Sequence, residues 1–339
     1  MPGPDASDSH VEPFQHPVDA RERIVAVGDV ELCLETFGRP EDPAVLLIGG
    51  AAASMDWWDA ELCERLASSG DGGRFVVRYD HRDTGRSTTW PAGHPAYAAR
   101  ELTSDALRIL DALGVGRAHL VGVSMGGGIA QELAARHPDR VLTLTLIATS
   151  PAGTRTGGEP LPPPAARIRA LLDDPGPEPD WSDRAAVVDH IVAGERLFAG
   201  PLGRDEDEPR LRRIAESVVD RTRDVAASRT NHWLLVDDDG DDGPGDDGDD
   251  GDDGPGDGDG GTFRLADLRV PTLVVHGTDD PLFPLPHGEA LAAEIPGASL
   301  LALPGMGHQV PPPATWDVVV PAVAHHTALR SPGRPAREP

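Results

Sequence analysis

Short aliphatic and β-branched runs alternate along the chain with longer stretches in which apolar residues recur every three or four positions. AVLLIG at 44–49, RFVVRYD at 74–80, HLVGVS at 119–124, VLTLTLIA at 141–148, PTLVVHG at 271–277 and SLLALPG at 299–305 are each bounded by Gly, Pro or Asp. Unbroken apolar runs of this length predict strands buried on both faces. Between them, residues 57–68, 101–113, 125–136, 287–295 and 314–329 carry helical spacing; Leu102, Ala106, Ile109, Leu110 and Leu113, for instance, fall on one face. Strands alternating with helices predict an α/β fold: a mostly parallel central sheet, right-handed crossovers and helices on both faces. Ile24 to Phe37, with a turn at Gly28-Asp29, predicts an antiparallel hairpin at the sheet edge.

The alternation breaks between residues 151 and 235. This stretch opens with PAGTRTGGEPLPPP and continues as amphipathic helices, one marked by Val187, Val188, Ile191 and Val192, another by Leu211, Ile214, Val218 and Val219. It reads as a helical cap over the carboxyl edge of the sheet, long enough to roof a pocket and marginal as an independent domain. Residues 237–261 hold thirteen Asp, ten Gly and two Pro, a composition that buries nothing and repels itself, so disorder is expected there. Neither a twelve-residue calcium loop with its terminal glutamate nor the nonapeptide calcium repeat is present in that tract. The expected organisation is a tail at 1–22, a first core part at 23–150, the cap at 151–236, an Asp/Gly-rich linker at 237–262, a second core part at 263–330 and a tail at 331–339.

Charge adds a qualification. The net charge of -27 over 339 residues falls to -14 when the thirteen acidic residues of the tract are set aside, so the body is only mildly acidic. All 30 basic residues are arginine. The absence of lysine excludes a phosphate-binding GK[ST] loop, a kinase-type ATP lysine and a Schiff-base lysine, each of which needs a primary amine. It also makes the string His81-Arg82-Asp83, which matches the kinase catalytic-loop triplet, an accidental match; in YDHRDTGRST that loop is expected to brace the nucleophile turn from beneath. Two cysteines, Cys33 and Cys63, are too few for a thiolate metal cluster or a disulfide framework and read as reduced core thiols. The acidic balance disfavours nucleic acid as a partner, and no window approaches the roughly 18 apolar residues of a membrane span. A cytoplasmic protein, monomeric or a small homo-oligomer, with no metal and no cofactor, is the expectation.

Gly122-Val123-Ser124-Met125-Gly126 is a G-x-S-x-G between the predicted strand HLVGVS and the predicted helix MGGGIAQELAARH. A serine on that turn is exposed above the sheet, and the Met125 amide, at the positive end of the helix, is aimed at an oxyanion growing beside Ser124. A serine hydroxyl needs a general base, and the base an orienting carboxylate. Asp280 follows the strand PTLVVHG, and His308 follows SLLALPG, so both lie in loops on the same sheet edge as Ser124. His308 is the expected base and Asp280 the expected orienter; Asp279 is the adjacent alternative. The loop Gly49-Gly50-Ala51-Ala52-Ala53 after AVLLIG offers a second oxyanion amide, expected at Gly50.

The combination of GVSMG, YDHRDTGRST, VPTLVVHGTDDP and PGMGH closely resembles the aclacinomycin methylesterase family, within the α/β-hydrolase superfamily. The resemblance covers residues from about 24 to 150 and 263 to 325. It implies the α/β-hydrolase fold, a nucleophile at Ser124, acid at Asp280, base at His308, oxyanion amides at Gly50 and Met125, and cofactor-free hydrolysis of the methyl ester of an anthracycline ring carboxylate.

The leading expectation is therefore a serine hydrolase acting on a small-molecule carboxylic ester, with water as the second substrate. Carbon–carbon hydrolase, lactonase or perhydrolase chemistry on the same residues is the alternative, since one fold hosts many reactions; a non-catalytic binding protein is the third reading. Trp57, Trp58, Trp181, Phe198 and Trp233 are the candidates to contact a flat apolar substrate.

Overall fold

The computed structural model describes residues 21–70, 72–204, 208–235 and 262–328. The Asp/Gly tract at 237–261 and nearly all of both expected tails lie outside the described residues. Eight strands form one sheet: β1 (Arg21–Val27), β2 (Val30–Phe37), β3 (Ala44–Ile48), β4 (Phe75–Tyr79), β5 (Ala118–Val123), β6 (Val141–Ile147), β7 (Thr272–Gly277) and β8 (Ser299–Leu303). Their order is β1-β2-β4-β3-β5-β6-β7-β8, antiparallel where β2 meets β1 and β4 and parallel elsewhere. β1 and β2 are joined across Gly28 and Asp29, and Gly28 takes φ 63°, which glycine adopts without the Cβ clash other residues meet.

All residues of β3 to β7 are buried, as predominantly apolar runs require of strands covered on both faces. β8 departs from that expectation: it is the edge strand, paired only with β7, and most of it is partly or fully exposed.

Among the described residues the α-helices are, in chain order, α1 (Ala60–Ala67), α2 (Ala99–Ala112), α3 (Met125–Arg136), α4 (Ala166–Asp173), α5 (Arg184–Phe198), α6 (Pro201–Arg204), α7 (Glu208–Arg221), α8 (Val225–Thr230), α9 (Pro286–Glu294) and α10 (Trp316–Ala328). Two apolar clusters flank the sheet. One joins Leu102 and Ile109 of α2, Leu133 of α3 and Leu291 of α9 to Leu46, Leu120 and Leu144; the other joins Leu62 of α1 and Val319 and Val323 of α10 to Leu47, Val121 and Val275. Each such side chain, fully buried, contributes roughly 1.5–3 kcal/mol. The helix expected from residue 57 begins later because the Asp59 carboxylate caps it, accepting from Glu61 N at 2.9 Å, while Met55–Trp57 forms a separate 3-10 turn.

Among the described residues between β6 and β7 lie α4 to α8, and Val187, Val188, Ile191 and Val192 of α5 pack against Ile214, Ala215 and Val218 of α7 in a third apolar cluster. Cys33 and Cys63 are buried free thiols; burial pushes both up to about 12. Among the described residues no helix is long and apolar enough to cross a membrane.

Candidate active site

Ser124 joins β5 directly to α3 with φ 54° and ψ -120°, a conformation an L-residue holds only where its surroundings impose it. The glycines on either side allow those surroundings. A Cβ on Gly122 would overlap the carbonyl of Gly126, and one on Gly126 would overlap the carbonyl oxygens of Ile48 and Gly49, so β3, β5 and α3 meet backbone to backbone at this turn. The turn is pinned by Ser124 N donating to Ile147 O at 3.0 Å and by Thr149 Oγ1 donating to Ser124 O at 2.7 Å.

Two loops from the carboxyl ends of β7 and β8 converge on that serine. His308 Nε2 lies 2.9 Å from Ser124 Oγ, and its Nδ1 lies 2.9 Å from Asp280 Oδ2. A carboxylate only accepts, so Nδ1 carries the hydrogen and Nε2 presents its lone pair to the serine hydroxyl. Asp280 is 4% exposed, and its other oxygen accepts from Leu282 N at 2.9 Å and Phe283 N at 2.8 Å, which fixes the carboxylate. Asp279 points elsewhere: its carboxylate takes the Thr278 hydroxyl at 2.6 Å and Gly305 N at 3.2 Å. His308 is itself held by donating its backbone N–H to Phe198 O at 2.9 Å, so the end of α5 is tied to the histidine loop. Beside the chain of contacts, burial lowers His276 below its ordinary value, and its Nε2 donates to Phe283 O at 2.7 Å.

Above Ser124 opens a cavity of about 160 Å3 that is partly open to solvent. Gly50, Ala51, Ala52 and Ala53 form its floor next to Ser124. The amide of Ala52 donates to His232 Nδ1 at 2.9 Å and that of Ala53 to Gly50 O at 3.3 Å; among the described residues no acceptor takes the amides of Gly50, Ala51 and Met125 beside the serine. Of the five aromatics expected to touch substrate, Trp57, Phe198 and the 58%-exposed Trp233 line the cavity. Trp58 does not: at 1% exposure it is core, packed with Leu62 and Cys63 beneath α1. Trp181 does not either; it packs on the α5–α7 cluster and donates its indole N–H to Glu178 at 3.0 Å.

Sequence reasoning missed the charged part of the wall. Glu195 and Arg229 face each other at 3.6 Å there, and Arg210, which also pairs with Asp59 at 3.0 Å, lines it too. Burial raises Glu195 above the usual carboxylate range, with Arg229 and His308 opposing that shift.

The loop 80–90 is anchored on three sides, one of them the end of β3 that packs on the nucleophile turn. His81 Nε2 donates to Gly49 O at 3.1 Å, Arg82 pairs bidentately with the buried Asp105 of α2 at 2.6 and 2.8 Å, and Asp83 accepts from Trp90 N, Tyr97 and Asn231. Asn231, the single asparagine of the chain and fully buried, was the available signal for this anchorage.

An eight-stranded, mostly parallel sheet with a serine at a strand–helix turn and a histidine–carboxylate pair on later strand ends defines a class, and the sequence agrees: residues 43–311 match the alpha/beta hydrolase fold family, to which this chain belongs. Over 323 residues it is 32% identical to rhodomycin D methylesterase DauP of Streptomyces sp. (strain C5), covering 90% of this chain and 97% of that protein. Rhodomycin D methylesterase DnrP of Streptomyces peucetius is 31% identical over 326 residues, with the same coverage, 90% and 97%. Among solved structures, a hydrolase from Pseudomonas aeruginosa PA01 superimposes with a TM-score of 0.60 at 25% identity over 90% of this chain and 96% of that one.

Proposed function

We propose that this protein is a serine hydrolase of carboxylic esters whose substrate is the methyl ester of a polyketide-like or other small apolar molecule. The single observation that supports it most is the pair of 2.9 Å contacts that His308 makes, one to Ser124 Oγ and one to Asp280. The bond class comes from the two methylesterase relatives, and a pocket bounded by Trp57, Phe198, Leu211 and Leu282 suits a flat apolar body.

In the proposed mechanism Ser124 Oγ attacks the ester carbonyl while its proton passes to His308 Nε2. The Asp280 carboxylate, already ordered by two backbone amides, stabilises the imidazolium without reorganising. The carbonyl oxygen becomes an oxyanion and takes hydrogen bonds from the amides of Met125 and Gly50, the latter backed by the neighbouring Ala51 amide. Collapse of the tetrahedral intermediate expels the alkoxide, which leaves as alcohol with the proton from His308. Water, deprotonated by His308, then attacks the acyl-Ser124 ester and releases the carboxylic acid. No step draws on a metal or cofactor. Residues 151–236 serve as the cap that shapes the pocket, and the protein works in the cytoplasm.

The experiment is fluorophosphonate labelling followed by peptide mapping, together with a hydrolysis screen over polyketide methyl esters, lactones and vinylogous diketones. Adduct at Ser124 and turnover of methyl esters are expected. An unlabelled Ser124 sinks the mechanism, while turnover of lactones or diketones alone moves the bond type and keeps the machinery.

A further inference from the structure

His232 lies in the 3-10 turn Asn231–Leu234 that follows α8, and it is 6% exposed. Its Nδ1 is 2.9 Å from Ala52 N and its Nε2 is 2.8 Å from the carbonyl oxygen of Arg82. An amide donates and a carbonyl accepts, so Nδ1 must offer a lone pair and Nε2 must carry the hydrogen: the ring is neutral and its tautomer is fixed at both ends. Ala52 takes φ 58°, a left-handed conformation that alanine keeps only when neighbouring contacts impose it. Further along, His81 contacts Gly49 O at 3.1 Å and Asp80 accepts from Met55 N at 2.8 Å, both from the β4 loop, while Ser217 of α7 donates to Asp56 at 2.7 Å. Of the cap residues, His232 is the one that holds Ala52 itself. Gly50, two residues earlier, sits close enough to the nucleophile that a Cβ on it would be 3.9 Å from Ser124 Oγ.

We infer that His232 is a positioning residue for the oxyanion loop: as a neutral acceptor it sets the Ala51–Ala52 peptide, and through it the aim of the Gly50 and Ala51 amides. This rests on the ester-hydrolase reading above. Burial holds the ring below its ordinary value, with the Asp83 carboxylate and the Arg82 carbonyl pulling the other way. His81, edge-on at 5.9 Å between ring centroids, is itself held neutral by burial, down to about 3. A protonated His232 would face the Ala52 N–H with an N–H of its own. The cap thus does more than roof the pocket; one of its side chains completes the geometry in which the carbonyl oxygen is received.

The test compares His232→Leu, His232→Asn and His232→Gln with the wild type for kcat and KM on p-nitrophenyl acetate, alongside thermal melts. Asn keeps an acceptor at the Nδ1 position, Gln keeps a donor at the Nε2 position, and Leu keeps neither. His232→Leu is expected to lose about ten- to a hundredfold in kcat with KM within about threefold, as for a misdirected oxyanion donor. His232→Asn should recover most of that loss and His232→Gln little of it. A loss confined to KM, rescue by Gln in place of Asn, or full kcat in the Leu variant overturns the inference; if the Leu variant does not fold, the Asn and Gln pair decides. Fluorophosphonate labelling of the wild type separates the two levels. An unlabelled wild type removes the esterase reading and this inference together, whereas a labelled wild type matched in kcat by both polar variants removes this inference alone.

Discussion

Arg221 of α7 reaches out of the cap to the fully buried carboxylate of Asp80, at the end of β4, with an N–O distance of 3.1 Å. The same guanidinium contacts Asp56 and, at 3.0 Å, Glu22, while the Asp80 carboxylate also accepts from Met55 N at 2.8 Å and Arg86 N at 2.9 Å. Replacing Arg221 with Met leaves a buried carboxylate without its cation, which costs about 3–5 kcal/mol. Chemical denaturation should show that loss, and the double variant Arg221→Met/Asp80→Asn should be more stable than the single one. Equal stability of the two would mean that the pair is not coupled.

Gly126→Ala forces its new methyl group against the Ile48 and Gly49 carbonyls, atoms of the strand that leads into the oxyanion loop. Backbone cannot swing aside as a flexible side chain does, so a loss of about 1–3 kcal/mol is expected, and kcat should fall as the Ser124 turn shifts. Gly128→Ala is the control, because a Cβ there meets only Ala152 at 3.8 Å. A melting temperature lowered equally in both variants would contradict this account.

Asp280→Asn keeps the size of the side chain but puts an amide where a carboxylate accepts the Nδ1 hydrogen of His308. The histidine then turns its lone pair from Ser124, and kcat should drop on the order of 10⁴-fold with KM little changed. Asp279→Asn, whose carboxylate serves Thr278 and Gly305, should stay close to wild type, as steady-state kinetics on one ester would establish.

How much of this was legible in the sequence depended on how local each signal was. Leu46, Val77, Leu144 and Val274 sit in runs whose burial on both faces dictates a strand, and Ser124, Asp280 and His308 each follow closely on such a run. The adjacent Trp57 and Trp58 defeated the reading because a 3-10 turn sends one toward the cavity and the other into the core, with no period to betray which. Arg221 and His232 were out of reach for another reason: their partners Asp80 and Ala52 lie 141 and 180 residues away, and a charge or imidazole on an amphipathic segment looks solvated until the segment is docked.

Acid should begin to destabilise the fold once the pH falls below the ordinary histidine range. Burial holds His81 and His119 down at about 3, against an ordinary 6.5, so the folded protein keeps them neutral while the unfolded chain protonates them. Their contribution is complete above pH 6.5 and drains as the pH falls toward 3, by up to about 1.4 kcal/mol per pH unit for each. Melting temperatures between pH 7.5 and 4.5 should decline accordingly, and His119→Gln should make the decline shallower; a flat profile would count against buried neutral rings.

The hydrogen bond from His308 N to Phe198 O has a mechanical corollary. A roof that hinged upward at the end of α5 would drag the imidazole off the serine, and the far side is bolted down by Arg221. The helical segment above Ser124 is thus fastened at two ends, to the loop that carries His308 and to the carboxylate that closes β4.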